Sequence, residues 1–308
     1  MTEGRDGEVA GGVPKSGKGE GMSAGSAEAT VQRWARGVDG PFGDAGARLR
    51  WAVGDITLDP PRDAVLRAAI GAVSAPLRVA VAGRPGTGRD TLVEALRMRW
   101  EVSAVGPGGD VGAADLVLYV LVGTVRAVDL RALAGMPTNR TVVVLGKADT
   151  LGGWDAAREQ AARCADLLGR PVIPLIPLLA TVRLGDDDHR CLLSAAASDE
   201  PTPVMTARFV VGDRRELRME LVRRVDRFGL DWCVRTVRER GAERCSASSL
   251  TNGLHRISGL DGLTPAVAAR LWAVGEHRMD RFRTVVERLA AEDRDARDRL
   301  ECVLQGVA

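Results

Sequence analysis

Apolar positions fall into two regimes along this chain. Between residues 77 and 175, short apolar runs alternate with stretches whose apolar residues recur at helical spacing. The runs at 77–82, 102–105, 116–122, 141–145 and 171–175 read as strands. Residues 116–122 lack a polar face, as strands covered on both sides do. Helices are expected at 62–74, 89–100, 125–134 and 155–168, the last closed by Gly169. This alternation predicts an α/β fold: a mostly parallel sheet flanked by helices, with ligands at the carboxyl ends of its strands.

Beyond Pro201 and Pro203 the pattern turns wholly helical. Residues 213–307 read as four or five helices, with breaks at Gly229, Gly241 and the 258–262 turn. At the other end, residues 1–30 are small and polar, and are expected to be a disordered tail. Residues 31–61 carry Trp34, Phe42 and Trp51 among glycines and read as a linker with a short docking helix. The expected division is thus a tail, a linker, an α/β domain over 62–200 and a helical domain over 201–308.

Composition narrows the chemistry. Apolar residues make up 45% of the chain, enough for a sizeable core, and the net charge of +2 gives no overall pull toward nucleic acid or acidic lipid. The 20 arginines after position 207 face 16 acidic residues, which predicts a solvated, ion-paired surface rather than a nucleic-acid stripe. Five scattered cysteines without a C-x-x-C pair are expected to be reduced thiols in a cytoplasmic protein, and three histidines share no zinc-ligand spacing with them. No secretory signal or membrane-spanning run is read, so membrane association has no support in the sequence. Lysine is scarce: only Lys15, Lys18 and Lys147 among 43 basic residues. A lone lysine in the folded part therefore asks for a reason.

Two stretches carry candidate chemistry. The strand at 77–82 runs into Gly83, Arg84, Pro85, Gly86, Thr87, Gly88, Arg89, Asp90 and Thr91, followed by a helix. Strand, glycine-rich turn and helix N-terminus make a cradle of backbone N–H groups for phosphate. The gap between Gly83 and Gly88 fits the phosphate-binding loop G-x-x-x-x-G-K-Ser/Thr, but Arg89 replaces its lysine and Asp90 its hydroxyl. The second stretch is an apolar strand ending in Gly146, Lys147, Ala148 and Asp149. A carboxylate at Asp149 can accept from guanine's N1–H and exocyclic amine, a donor pair that adenine lacks. Lys147 would lay its aliphatic stem along the base and the loop.

Together these stretches resemble the P-loop GTPases of the Ras-like and translation-factor class, especially small actinobacterial dynamin-like GTPases, whose guanine motif is Asn/Thr-Lys-x-Asp. The resemblance covers residues 62–182, and the 258–261 turn in the helical tail matches that group more weakly. It implies a GTP or GDP site formed by residues 83–91 with Lys147 and Asp149. The departures bear on mechanism. Arg89 keeps a charge in a bulkier, planar form, and Asp90 sets a carboxylate beside phosphate oxygens. Gly106 stands where the family's third motif has its acid, and Gly146 replaces the first residue of the guanine motif. The backbone motif after the last strand is replaced by Ile176 and Pro177, and little chain is left for a switch loop.

Mg²⁺ thereby loses its usual contacts, and no catalytic residue is assigned. The expectation is a pseudo-GTPase that binds guanine nucleotide, or has lost it, and acts through a protein partner, a related GTPase among the candidates. The alternatives are a slow GTPase that needs a partner and a nucleotide-independent scaffold. The acidic run Asp186, Asp187, Asp188 with His189 reads as helix capping rather than a metal site. Trp100, Trp154, Trp232 and Trp272 read as packing residues.

Overall fold

The computed structural model describes residues 24–37, 45–106, 112–198, 209–210 and 214–306. Residues 1–23 of the expected tail, Phe42, Gly108, Gly109 and Asp110 of the expected third-motif loop, and Pro201 and Pro203 lie outside them.

Five strands make one sheet in which every pairing is parallel: β1 (Arg78–Gly83), β2 (Ser103–Val105), β3 (Leu116–Leu121), β4 (Thr141–Leu145) and β5 (Val172–Pro174). The spatial order is β2-β1-β3-β4-β5, so the chain changes direction across the sheet beside β1. The crevice outside the carboxyl ends of β1 and β3 is the topological switch point of such a sheet. In register, Gly83 lies opposite Val120, and Val120 opposite Val144. The loops after β1 and β4 therefore leave the sheet from the same edge.

Alternate side chains of the strands feed two cores. Val79, Val81, Leu118, Val120, Val142 and Val144 pack with α1 (Ala24–Ala35), α4 (Arg89–Trp100) and α11 (Leu260–Ala268). Tyr119, Leu121, Val143 and Leu145 pack on the other face, against α5 (Ala127–Ala134) and α6 (Trp154–Leu168). Gly169 closes α6 in the left-handed conformation at φ 62°, as read from the sequence.

The helical tail holds five helices among the described residues: α9 (Arg215–Arg240), α10 (Ala247–Ile257), α11, α12 (Leu271–Glu292) and α13 (Arg297–Gly306). They do not form a core of their own. Leu260, Leu263 and Val274 join the sheet core, and Leu221, Val225 and Cys233 share a core with Ile176, Leu179 and Leu192. Phe282 and Val286 pack against Leu66 and Ile70 of α3 (Pro60–Val73) and Leu49 of α2 (Ala45–Ala52). The change of pattern near position 200 marks a change of secondary structure, not of core.

Several expectations are corrected. Gly229, read as a helix break, is buried inside α9, whose kink falls at Asp226. Residues 24–30, read as the end of a disordered tail, are the first turns of α1, which buries Ala27, Val31 and Trp34 along one side. Trp272, read as a packing residue, is 57% exposed, whereas Trp100 is buried. The acidic run caps a helix as expected. It opens α8 (Asp186–Ala197), which follows the short α7 (Pro177–Thr181); there Asp188 accepts from the Gly185 N–H at 2.8 Å and pairs with Arg224.

At the amino ends of the strands sits a buried clamp. Arg278 of α12, 7% exposed, donates to both oxygens of Asp115 at 3.0 and 2.6 Å. It also donates to the carbonyls of Val73, Ala75 and Pro76, and its guanidinium stacks 5.4 Å from the Trp34 ring. Asp115 further accepts the Arg78 N–H at 2.8 Å. The expectation of a solvated arginine surface thus fails at this residue, which ties the last third of the chain to the first strand. No helix among the described residues is long and apolar enough to cross a membrane.

Candidate functional site

The loop after β1 is shaped by close backbone approach. Gly83 adopts φ 140°, and a Cβ on it would lie 2.6 Å from the Val120 carbonyl oxygen, so no larger residue fits while β1 and β3 stay paired. Gly86 and Gly88 follow with φ of 77° and 87°. Gly88 is the N-cap of α4 and provides no side-chain cap, which leaves the first-turn N–H groups of Arg89, Asp90 and Thr91 without intrahelical acceptors. An anion is the natural partner for such an end. Pro85 and Gly86 are exposed at the tip, and Thr87 is buried, its hydroxyl donating to the Arg84 carbonyl at 2.8 Å.

The two arginines of the loop have different tasks. Arg89 folds back and donates from Nη1 to the Gly83 carbonyl at 2.9 Å. That bond uses one of five guanidinium donors and holds the charge against the loop. Arg84 turns away and donates from Nε to Asp129 of α5 at 2.9 Å, and from Nη2 to the Val122 carbonyl. The Asp129 carboxylate is fully buried and also accepts from the Tyr119 hydroxyl and the Arg126 N–H, each at 2.9 Å. Burial and the Asp129 carboxylate push the Tyr119 hydroxyl up to about 12. This network locks loop, β3 and α5 together, and motif reading missed it. The signal available was the chain's single tyrosine inside an apolar run, whose hydroxyl must find a partner when buried.

Asp90 is exposed on the first turn of α4, and a Cβ at Gly106 would lie 3.4 Å from its Oδ1. Gly106 is thus the neighbour of Asp90, and the carboxylate stands on the loop side of this gap rather than on the β2 side. Thr91 is half-buried on the same turn.

The loop after β4 meets the loop after β1 directly. A Cβ at Gly146 would lie 3.1 Å from the Thr87 carbonyl oxygen and 3.0 Å from Val120 Cγ1. Gly146 therefore serves the close contact between the two loops. Lys147 follows at φ 55°, ψ 40°, a left-handed conformation that costs a non-glycine residue free energy. The turn is pinned on both sides: the Thr150 N–H and hydroxyl donate to the Lys147 carbonyl, and the Ala148 N–H donates to Leu175 at the end of β5. The Lys147 side chain is exposed and Asp149 is half-buried.

Asp149 faces a cavity of about 770 Å³ walled by Thr150, Gly152, Gly153 and Trp154 on one side and by Asp226, Arg227 and Phe228 of α9 on the other. No residue of 84–91 lines it. Burial raises the Asp149 carboxyl above its ordinary range, the neighbouring Asp226 adds to the rise, and Lys147 opposes it. Asp226 was not singled out from the sequence. It interrupts the 26-residue α9 at φ 53°, ψ −179°, and its Oδ1 accepts the Arg227 N–H at 2.6 Å.

Comparison with protein-family models gives no match, and comparison with curated proteins gives none either. The site therefore rests on its own geometry. The structure brings residues 83–91 together with Gly146 at one edge of the sheet and places Lys147 and Asp149 on the adjoining turn. Among the described residues, no group of three or more His, Cys, Asp or Glu side chains is placed to hold a metal ion.

Proposed function

We propose that the carboxyl edge of the sheet is a guanine-nucleotide site of a degenerate P-loop GTPase, related to the dynamin-like group, which binds GDP or GTP with little or no hydrolysis and signals to a protein partner. One observation carries the reading. The Gly146 turn sits against the Thr87 backbone, so a glycine loop with an uncapped helix end adjoins a strained Lys147 and a half-buried Asp149. Backbone strain persists where the surroundings over-determine it and clusters at ligand sites.

In this reading the N–H groups of 84–91 and Arg89 hold the phosphates, Lys147 covers the base and Asp149 selects guanine. Mg²⁺ is given no protein ligand in this reading: at that end of α4 the Asp90 carboxylate stands beside Gly106, which has no side chain to add. No hydrolytic step is assigned to it. A cytoplasmic place suits a nucleotide-dependent protein of this composition.

Calorimetry of the full chain with GDP and ADP tests the proposal. GDP is expected to bind and ADP not, and Asp149→Asn is expected to weaken GDP by about 10- to 100-fold, the worth of a charged, bidentate hydrogen bond. GDP affinity is also expected to fall on acidification, because a protonated Asp149 loses an acceptor. The midpoint should lie above the ordinary carboxylate range, matching the raised Asp149. Absence of any nucleotide binding at millimolar ligand would leave the nucleotide-independent scaffold as the surviving account.

The position of Asp90 favours a second reading, a slow GTPase completed by a partner. An acidic group remains at the gap where the third motif has lost its own. Single-turnover GTP hydrolysis, with Arg89→Ala as control, separates the two: equal rates in both proteins would remove the slow GTPase.

A further inference from the structure

We infer that Asp226, at the kink of α9, is a second base-reading carboxylate, and that the C-terminal helices thereby complete the guanine site. The inference rests on the guanine-nucleotide reading above and extends it to a residue outside the α/β part of the chain.

Guanine presents three N–H donors along one edge: N1–H and the two hydrogens of the exocyclic amine. A single carboxylate engages N1–H and the nearer amine hydrogen. The other amine hydrogen points past that carboxylate and needs its own acceptor when the edge is buried. Asp226 shares with Asp149 the walls of the 770 Å³ cavity, facing the 149–154 turn from the side of α9. The cavity is roomy and mixed in character. Trp154 and Phe228 offer apolar surface, and Gly152 and Gly153 have open space where a Cβ would stand.

Two carboxylates on one cavity repel unless a donor lies between them, and an amine supplies that donor. Burial raises the Asp149 carboxyl first, and the charge and side-chain contact of Asp226 add to the rise, so the two carboxyls stand side by side on the cavity wall. The other charged groups around the cavity are Lys147 on the turn and Arg227, Asp231 and Arg235 on α9, with Arg235 and Asp231 paired at 3.7 Å.

The backbone adds a second observation. α9 departs from helical geometry at Asp226 and resumes after it, and the left-handed φ of 53° is borne by an aspartate where glycine would be unstrained. The Oδ1 contact to the Arg227 N–H orients the carboxylate and leaves it further acceptor capacity.

Inosine nucleotides make the test, since hypoxanthine keeps N1–H and lacks the amine. GDP and IDP affinities are measured by calorimetry on the full-length chain, on Asp226→Gly, which keeps the positive φ, and on Asp226→Asn, which keeps an oxygen acceptor. The wild-type chain should prefer GDP over IDP. Asp226→Gly should lose about tenfold or more of that preference through weaker GDP binding, with IDP affinity not weakened. Asp226→Asn should fall between the two. A GDP-to-IDP ratio that stays the same in Asp226→Gly and Asp226→Asn, with circular dichroism showing both folded, overturns the role of Asp226 and leaves the guanine site standing. A wild-type chain that binds neither nucleotide overturns the underlying reading itself.

Discussion

The two ends of the sheet treat charge in opposite ways. At the amino ends of the strands, Arg278 and Asp115 are buried and satisfy one another, with three carbonyls, a backbone N–H and the Trp34 ring completing the set. At the carboxyl ends the helix α4 has no side-chain cap, Lys147 is strained and exposed, and Asp149 is held above its ordinary pKa beside another acid. One end is finished by the protein alone. The other keeps unfavourable features that the protein alone does not relieve. The contrast teaches where to look for function: not at the most perfect polar network but at the one left incomplete.

The comparison breaks most visibly at the clamp. Arg278→Ala leaves a buried Asp115 carboxylate without its cation, a change that costs about 3–5 kcal/mol in buried pairs. Chemical denaturation should show this as a large drop in midpoint, while GDP affinity of the fraction still folded stays within about twofold of wild type. Loss of nucleotide binding equal to that of Asp149→Asn would merge the two ends into one cooperative site and end the distinction.

A smaller effect comes from the network beneath the loop after β1. The Tyr119 hydroxyl holds its proton to about 12, against about 10 in an unfolded chain. The unfolded chain therefore ionises first as pH rises, and stability falls between pH 10 and 12. Two pKa units correspond to about 2–3 kcal/mol. Stability measured against pH should decline more steeply over this window in the wild-type chain than in Tyr119→Phe. Parallel curves would mean that Tyr119 ionises as it does in solution and that the Asp129 network does not hold it.

The sequence revealed these regions unevenly. Strands could be read because apolar runs such as 116–122 and 141–145 have one stable use in a chain of this size, and α6 because Gly169 marks its end. The first helix was hidden by its small residues. Ala27 and Val31 give little apolar mass, and packing on α11, α4 and the sheet core is what makes Ala24–Ala35 worth ordering. At the site, glycine spacing disclosed the loop, and the scarcity of lysine singled out Lys147. The partners stayed invisible. Asp129 lies 45 residues from Arg84, and nothing local says that an acid on α5 will be buried beneath the loop. Arg278 looked like one more arginine on a charged helix. Asp226 leaves no trace at all, since a positive φ at a non-glycine residue is imposed by tertiary structure and does not change the helical pattern around it.

The smallest effect offers the sharpest separation of the two ends. Lys147 holds φ 55° without a glycine's freedom, so Lys147→Gly removes left-handed strain while it deletes the side chain proposed to cover the base. The strain relieved is partly offset by the greater freedom of glycine in the unfolded chain, and the net gain should be about 0.5–1 kcal/mol. The same variant should bind GDP more weakly. A protein that becomes more stable as it loses its ligand has a residue kept for binding at the expense of stability, which is the pattern of a functional site. At the clamp no substitution should behave this way, because each group there already has its partners. If Lys147→Gly instead loses stability, the exposed lysine is packing against the turn in the free protein, and the strain at the carboxyl edge is repaid without any nucleotide.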